Sequence, residues 1–111
     1  MRQSQPILTL PMKATGAIVA RRFITAVGAE AVAAGNALGV SRFAAAVGET
    51  VPVDVLGTAV VEAGGIIAAG ALVEVGADGK AVAKNVGVTV ARALEGSGGA
   101  GAFIEVLLIA N

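Results

Sequence analysis

The chain has 111 residues, with eight Lys plus Arg balanced by eight Asp plus Glu, 56% hydrophobic residues, 14% charged residues and 3% aromatics. Zero net charge and few aromatics remove the electrostatic and stacking features of a nucleic-acid binder. With no His and no Cys, the chain lacks both the usual proton carrier near neutral pH and the soft metal ligands, so no catalytic residue, cofactor or metal site is expected.

The mean hydropathy of +0.84 raises the question of a membrane. Uncharged windows such as Ala63 to Val73 are shorter than the about 20 apolar residues a spanning helix needs, and that window contains Gly64, Gly65 and Gly70. Met1 to Lys13 carries two prolines and polar residues where a secretory signal would be apolar. The chain is therefore read as one domain with neither membrane nor nucleic-acid partner, whose apolar excess is buried by self-association or on a larger surface.

Residues 1–15 differ from the rest. Pro6 and Pro11 bias their surroundings toward extended backbone. Between them lies Ile7-Leu8-Thr9-Leu10, read as an extended N-terminal arm that pairs with an edge of its own sheet or with a neighbouring chain. Ile7, Leu8 and Leu10 are its candidate partner contacts.

From residue 16 to 111 short β-segments alternate with glycine. Ala17 to Val27 reads as a strand, in which Arg21 and Arg22, the only adjacent basic pair, face opposite ways and are further candidate contacts. Thr50 to Leu56 alternates, with Val51, Val53 and Val55 on one face. Pro52 lacks a ladder donor, which places that strand at an edge or beside a bulge. Thr58 to Glu62 follows Gly57. Ala71 to Val75 and Lys80 to Lys84 flank Gly76-Ala77-Asp78-Gly79, a hairpin signal. Val86, Val88 and Val90 alternate next. Ala102 to Ala110 is apolar on both faces, so it is central or covered by a neighbour, and Phe103, Leu107 and Ile109 on its outer face are candidate contacts. Ala29 to Ala34, Phe43 to Val47 and Ile66 to Ala69 have room for short helical turns only. The expected fold is all-β, a small β-barrel or sandwich.

The two halves echo each other over residues 16–57 and 65–108. Phe23-Ile24 lies on Leu72-Val73, Leu38-Gly39-Val40 on Val86-Gly87-Val88, and Val53-Asp54-Val55-Leu56 on Ile104-Glu105-Val106-Leu107. Arg42 and Arg92 follow the second match and are candidate equivalents. A duplication would build one core from two strand units. The matched acids Asp54 and Glu105 have no polar neighbours in sequence and read as exposed strand acids, Asp78 as a turn residue. Gly96 to Gly101 lacks the Lys-Ser/Thr of a phosphate loop and reads as a flexible connection. Ser41, Ser97 and Lys80 have no partner pattern for a nucleophile.

Three stretches carry a resemblance. They are Gly48-Glu49-Thr50-Val51-Pro52-Val53 leading to Leu56-Gly57-Thr58-Ala59-Val60-Val61-Glu62-Ala63, then Ile67-Ala68-Ala69-Gly70-Ala71-Leu72-Val73 with Asp78-Gly79-Lys80-Ala81-Val82, and finally Phe103-Ile104-Glu105-Val106-Leu107-Leu108. Together they resemble the small capsid cement, or head decoration, proteins of tailed bacteriophages over about residues 16–110. The resemblance implies a non-enzymatic virion protein on the capsid exterior, assembled in the host cytoplasm, that clamps adjacent major capsid protein subunits. By analogy with lambda-like decoration proteins it implies a homotrimer. It supplies no site residues. The alternative from the residues is a β-domain of another oligomeric assembly, such as a phage tail or baseplate component.

Overall fold

Repeated Val and Ile at every second position, broken by glycine, makes strands and turns in place of helices. The computed structural model describes residues 4–111. Its strands are β1 (Pro6–Lys13), β2 (Phe23–Ile24), β3 (Gly39–Ser41), β4 (Thr50–Glu62), β5 (Ile66–Ile67), β6 (Leu72–Val75), β7 (Ala81–Ala83), β8 (Ala91–Ala93), β9 (Ser97–Gly98) and β10 (Phe103–Leu108).

The 13-residue β4 is the spine. Gly57 bends it with φ +92, and a Cβ there would stand 2.4 Å from the Gln5 carbonyl oxygen, so only glycine accommodates both the turn of the backbone and the close approach of β1. Before the bend β4 pairs with β1 on one side and β3 on the other. Beyond it β4 pairs with β10, matching Ile104 to Val61 and Val106 to Ala59. The strand holding Pro52 is therefore internal and not at an edge; of the two positions expected for it, the one beside a bulge is nearer the structure, since the β1–β4 register shifts around Leu8. Pro52 lies opposite Pro11, and its carbonyl accepts the Arg42 N–H at 3.0 Å just where β3 ends. The missing donor falls where the ladder has already stopped, so it costs no bond.

The main sheet runs β2-β3-β4-β10-β8-β6-β7, with β1 added on β4, and β5 pairs with β9 separately. Residues 29–34 bridge the end strand β2 to β6, the strand next to the other end. The Ala31 N–H bonds the Phe23 carbonyl at 2.9 Å, and the Ala34 N–H bonds Val75 at 2.8 Å. The result is a nearly closed small β-barrel. Its interior holds Phe23, Val40, Val61, Val73, Val75, Ile104 and Val106 together with Ala59, Ala63, Ala81, Ala91 and Ala93. Small and large residues alternate across the ladder, as where Val106 lies between Ala59 and Ala93; a narrow barrel needs such alternation to fill without overpacking. A second cluster of Ala14, Ile18, Ile24, Ala45, Val51 and Val53 packs on the other side of the β2–β4 end.

The alanine-rich segments thus serve the barrel and its loops. Ala29 to Ala34, Phe43 to Val47 and Ile66 to Ala69 form no helical turn, and the one 3-10 turn described is Ala77–Gly79, at the expected hairpin. Asp78 there takes φ 59. Ala17 to Val27 is strand only at Phe23–Ile24, because Arg21 turns the chain with φ 62, so the two arginines do not alternate across a strand. After Val86 the paired strand is Ala91–Ala93. Each half runs three strands in the same antiparallel order, β2-β3-β4 and β6-β8-β10, meeting at the β4–β10 pair. Phe23 lies opposite Val40 and Leu72 opposite Arg92. Arg42 lies just past the end of β3, whereas Arg92 is the middle residue of β8.

A Cβ on Gly39 would lie 2.0 Å from the Asp54 carbonyl oxygen, whereas one on Gly16 would meet nothing within 4 Å. Urea unfolding should show Gly39→Ala losing at least about 2 kcal/mol of stability by forcing β3 from β4, and Gly16→Ala changing by no more than about 0.5 kcal/mol.

Candidate interaction surface

The charged side chains fold inward on one another. Arg22 donates from Nε and Nη2 to Glu62 Oε1 at 3.2 and 3.0 Å, and from Nη1 to the Asp78 carbonyl at 3.0 Å. Lys80 Nζ stands 3.5 Å from the other Glu62 oxygen. This cluster ties the approach to β2, the end of β4 and the β6–β7 turn together. Arg22 is thereby engaged within the chain, and Nη1 of Arg21 is buried without a hydrogen-bond partner.

Asp54 and Glu105 are both buried, which corrects the expectation of exposed strand acids. β1 and β3 flank Asp54: Thr9 Oγ1 donates to its Oδ1 at 2.8 Å, and Arg42 Nε stands 3.5 Å from Oδ2. Glu74, also buried, accepts the N–H groups of Asn85 and Gly87. Those two bonds, the Asn85 bond first, with help from the Lys84 charge, hold its carboxyl below the ordinary value of 4.5 against the opposing effect of burial. Among the described residues no group of three or more His, Cys, Asp or Glu is placed to hold a metal, and no helix is long and apolar enough to cross a membrane.

The uncharged surface is distinctive. Residues 6–13, the core of the expected arm, are β1, hydrogen-bonded to β4 of the same chain. Ile7 is 81% exposed. Leu8 and Leu10 line a groove of about 360 Å³ with Val55, Leu56, Leu38 and Ala26. Asn111 closes one end of it, accepting from the Ala37 N–H and donating to the Ala37 carbonyl. No residue that lines the groove is charged.

A second apolar region covers the outside of the barrel. Because Ile104 and Val106 enter the core, Phe103, Glu105 and Leu107 point outward. In register beside them stand Glu62, Val60 and Thr58 on β4 and Arg92 on β8. Phe103 remains 40% and Leu107 42% exposed, although β10 has a strand on each side. Ile109, just past β10, is half-buried, and its N–H bonds the Val90 carbonyl. The structure therefore separates the eight sequence candidates. Leu8 and Leu10 meet at the groove, Phe103 and Leu107 share the outer face, Ile7 stands beside Leu8, and Arg21, Arg22 and Ile109 are apart from both faces. The groove itself was missed, because Val55, Leu38 and Ala26 come together only through the fold.

A nearly closed barrel with internal ion pairs and exposed apolar side chains on its outside fits a protein of the contact-making, structural kind. The family model for phage cement proteins matches residues 1–108, and the chain belongs to that family: it is a phage capsid-associated structural protein. The crystal structure of the head fiber gp8.5 N base in bacteriophage phi29 has the same fold, with a TM-score of 0.75 and 19% sequence identity over 92% of this chain and 93% of that one. No match was found among curated protein sequences.

A lowered folded-state pKa for Glu74 means that its carboxylate contributes stability above the unfolded value of about 4.5, lost as pH falls through the lower folded value. Denaturant midpoints measured from pH 7 to pH 2 should show wild type above Glu74→Gln at neutral pH, with the gap closing below pH 4.5. A gap that persists at the acid end would show that the charge is not what holds the 84–88 loop.

Proposed function

We propose that the chain binds the outer surface of the phage head and cements adjacent major capsid protein subunits, stabilising the DNA-filled shell through buried contact and without a catalytic step. The observation that carries this reading is the apolar exposure of Phe103 and Leu107 on a strand flanked on both sides. Such a face on a small domain is a typical protein-contact surface. Ile7 and the groove beside Leu8 and Leu10 supply a second contact region. Arg21 and Arg22 serve the fold in this reading, since Arg22 is committed to Glu62 and Asp78. Likeness to a head fiber base favours attachment at the head over the tail or baseplate. Self-association as a trimer follows from the analogy with other decoration proteins, and many weak clamps repeated over one shell add strength through avidity.

Leu107→Asp introduces a charge at an exposed position and should leave the fold intact. Its binding to expanded heads, measured by co-sedimentation, should weaken at least about tenfold. Wild-type occupancy by this variant would reject the face. Sedimentation of the free protein should give trimer mass, and a monomer at working concentration would reject trimerisation before docking.

A further inference from the structure

The loop from Lys84 to Val90 is pinned to the barrel along most of its length. The Lys84 N–H bonds the Leu72 carbonyl at 2.9 Å, and the Val90 N–H bonds Val73 at 2.9 Å. Between them the Val88 N–H bonds the Ala34 carbonyl at 3.1 Å. The Asn85 and Gly87 N–H groups both donate to one oxygen, Glu74 Oε1, the second at 3.0 Å. Gly87 is seated so closely that a Cβ there would stand 2.6 Å from Ala34 Cα. Lys84 Nζ adds a bond to the Asn85 carbonyl at 3.1 Å. Val86, between the two clamped N–H groups, is 86% exposed, the highest of any large apolar residue among the described residues. Val32 stands in the turn that carries Ala34, which the Gly35 N–H closes on the Val32 carbonyl at 3.0 Å, and it is 70% exposed. A single exposed valine needs no explanation. A buried carboxylate is costly, however, and Glu74 fixes a tip, residues 84–87, whose one apolar side chain faces outward.

We propose that Val86, with Val32 on the adjoining turn, is a preformed apolar knob that enters an apolar pocket with a carboxylate on its rim on the major capsid protein, and that Glu74 is its positioning residue. The proposal rests on the reading that the chain binds the head, and it adds a contact to that reading. A chain that cements adjacent subunits must touch the shell in more than one place, and the tip supplies such a place besides Phe103 and Leu107. The chemistry of the partner follows from the tip. The Val86 side chain forms no hydrogen bonds, so its burial is favourable against apolar atoms. Lys84 is the one charged residue from 83 to 90 and is exposed, so complementarity places an acid at the rim of the pocket. Rigidity separates this tip from a loose loop. Ordering a mobile segment on binding costs affinity, and hydrogen bonds formed on folding have ordered this one beforehand.

The test uses the full chain and expanded heads assembled without it, at neutral pH and a temperature where every variant is folded. Co-sedimentation across rising NaCl is measured for wild type, Val86→Asn, Lys84→Gln, Glu74→Gln and Leu107→Asp, with thermal unfolding and amide hydrogen exchange of each free protein. Val86→Asn should unfold as wild type does, since the side chain is exposed, and bind heads at least about tenfold more weakly. Glu74→Gln should speed exchange at Asn85 and Gly87 at least about tenfold relative to Val106, and weaken binding although Val86 is intact. Lys84→Gln should bind with a shallower salt dependence. Wild-type head binding by Val86→Asn while Leu107→Asp fails would overturn the knob and leave the head-binding reading standing. Failure of the wild-type chain to bind heads would remove the reading and the knob together. Unchanged exchange in Glu74→Gln, or faster exchange with wild-type binding, would overturn the positioning role. A salt dependence unaltered by Lys84→Gln would overturn the acid at the rim. A sedimentation mass changed by Val86→Asn with unchanged head binding would give the knob to a second copy of the chain, which also overturns the proposal.

Discussion

The antiparallel pairing of β4 with β10 is the constraint on which the rest of the molecule depends. It joins the two three-strand units into one sheet, and its register decides what every neighbouring side chain faces. With Ile104 opposite Val61 and Val106 opposite Ala59, the aliphatic residues of both strands fill the barrel. The same alternation sends Phe103, Glu105 and Leu107 outward. A slip of one residue would exchange the two sets, burying a carboxylate in the barrel. The interior and the outer face are two sides of one pairing, so a substitution on that surface acts on strands that also hold the core.

The ion pairs work in the same direction. Arg22, Glu62 and Lys80 occupy one another at the meeting of β2, β4 and the β6–β7 turn, and Arg42 turns toward Asp54. A partly exposed pair such as Lys80 with Glu62 is worth little in stability, about 0–1 kcal/mol, whereas the Asp54 carboxylate that Arg42 faces is fully buried. Their structural effect is on position: they fix loops that have few apolar contacts of their own. The groove beside β1 is by contrast lined without any charged residue.

Much of this was legible in the sequence, and the parts that were not have a common cause. The alternation of Val51, Val53 and Val55 and the Gly76 to Gly79 turn appear as read, since each depends on local backbone preferences. The outward set Phe103, Leu107 was legible from alternation alone. Asp54 and Glu105 were read as exposed because alternation tells which face a residue takes but not what lies over that face. Thr9 and Arg42 reach Asp54 across the sheet from positions far away in sequence. Alanine was equally ambiguous: its helix propensity is real, but a narrow barrel needs small residues opposite Val and Ile, and that tertiary demand decides Ala59, Ala63 and Ala93. Val86, Val88 and Val90 alternate like a strand, but the fold pairs Ala91 to Ala93 instead.

An apolar chain of this composition must also avoid polymerising through its sheet edges, and the fold closes both. β1 is exposed along its outer side, but Pro11 offers no donor there, Lys13 places a charge on it, and register shifts around Leu8 disrupt the ladder. These are recognised devices against strand addition. At the other end β7 has three residues, and Ala81 bridges to Ala63. Main-chain pairing with a neighbour is thus discouraged where apolar side chains are left open. What stays open there is side chain and not main chain: Ile7, Phe103 and Leu107 remain exposed beside backbone that is paired or blunted.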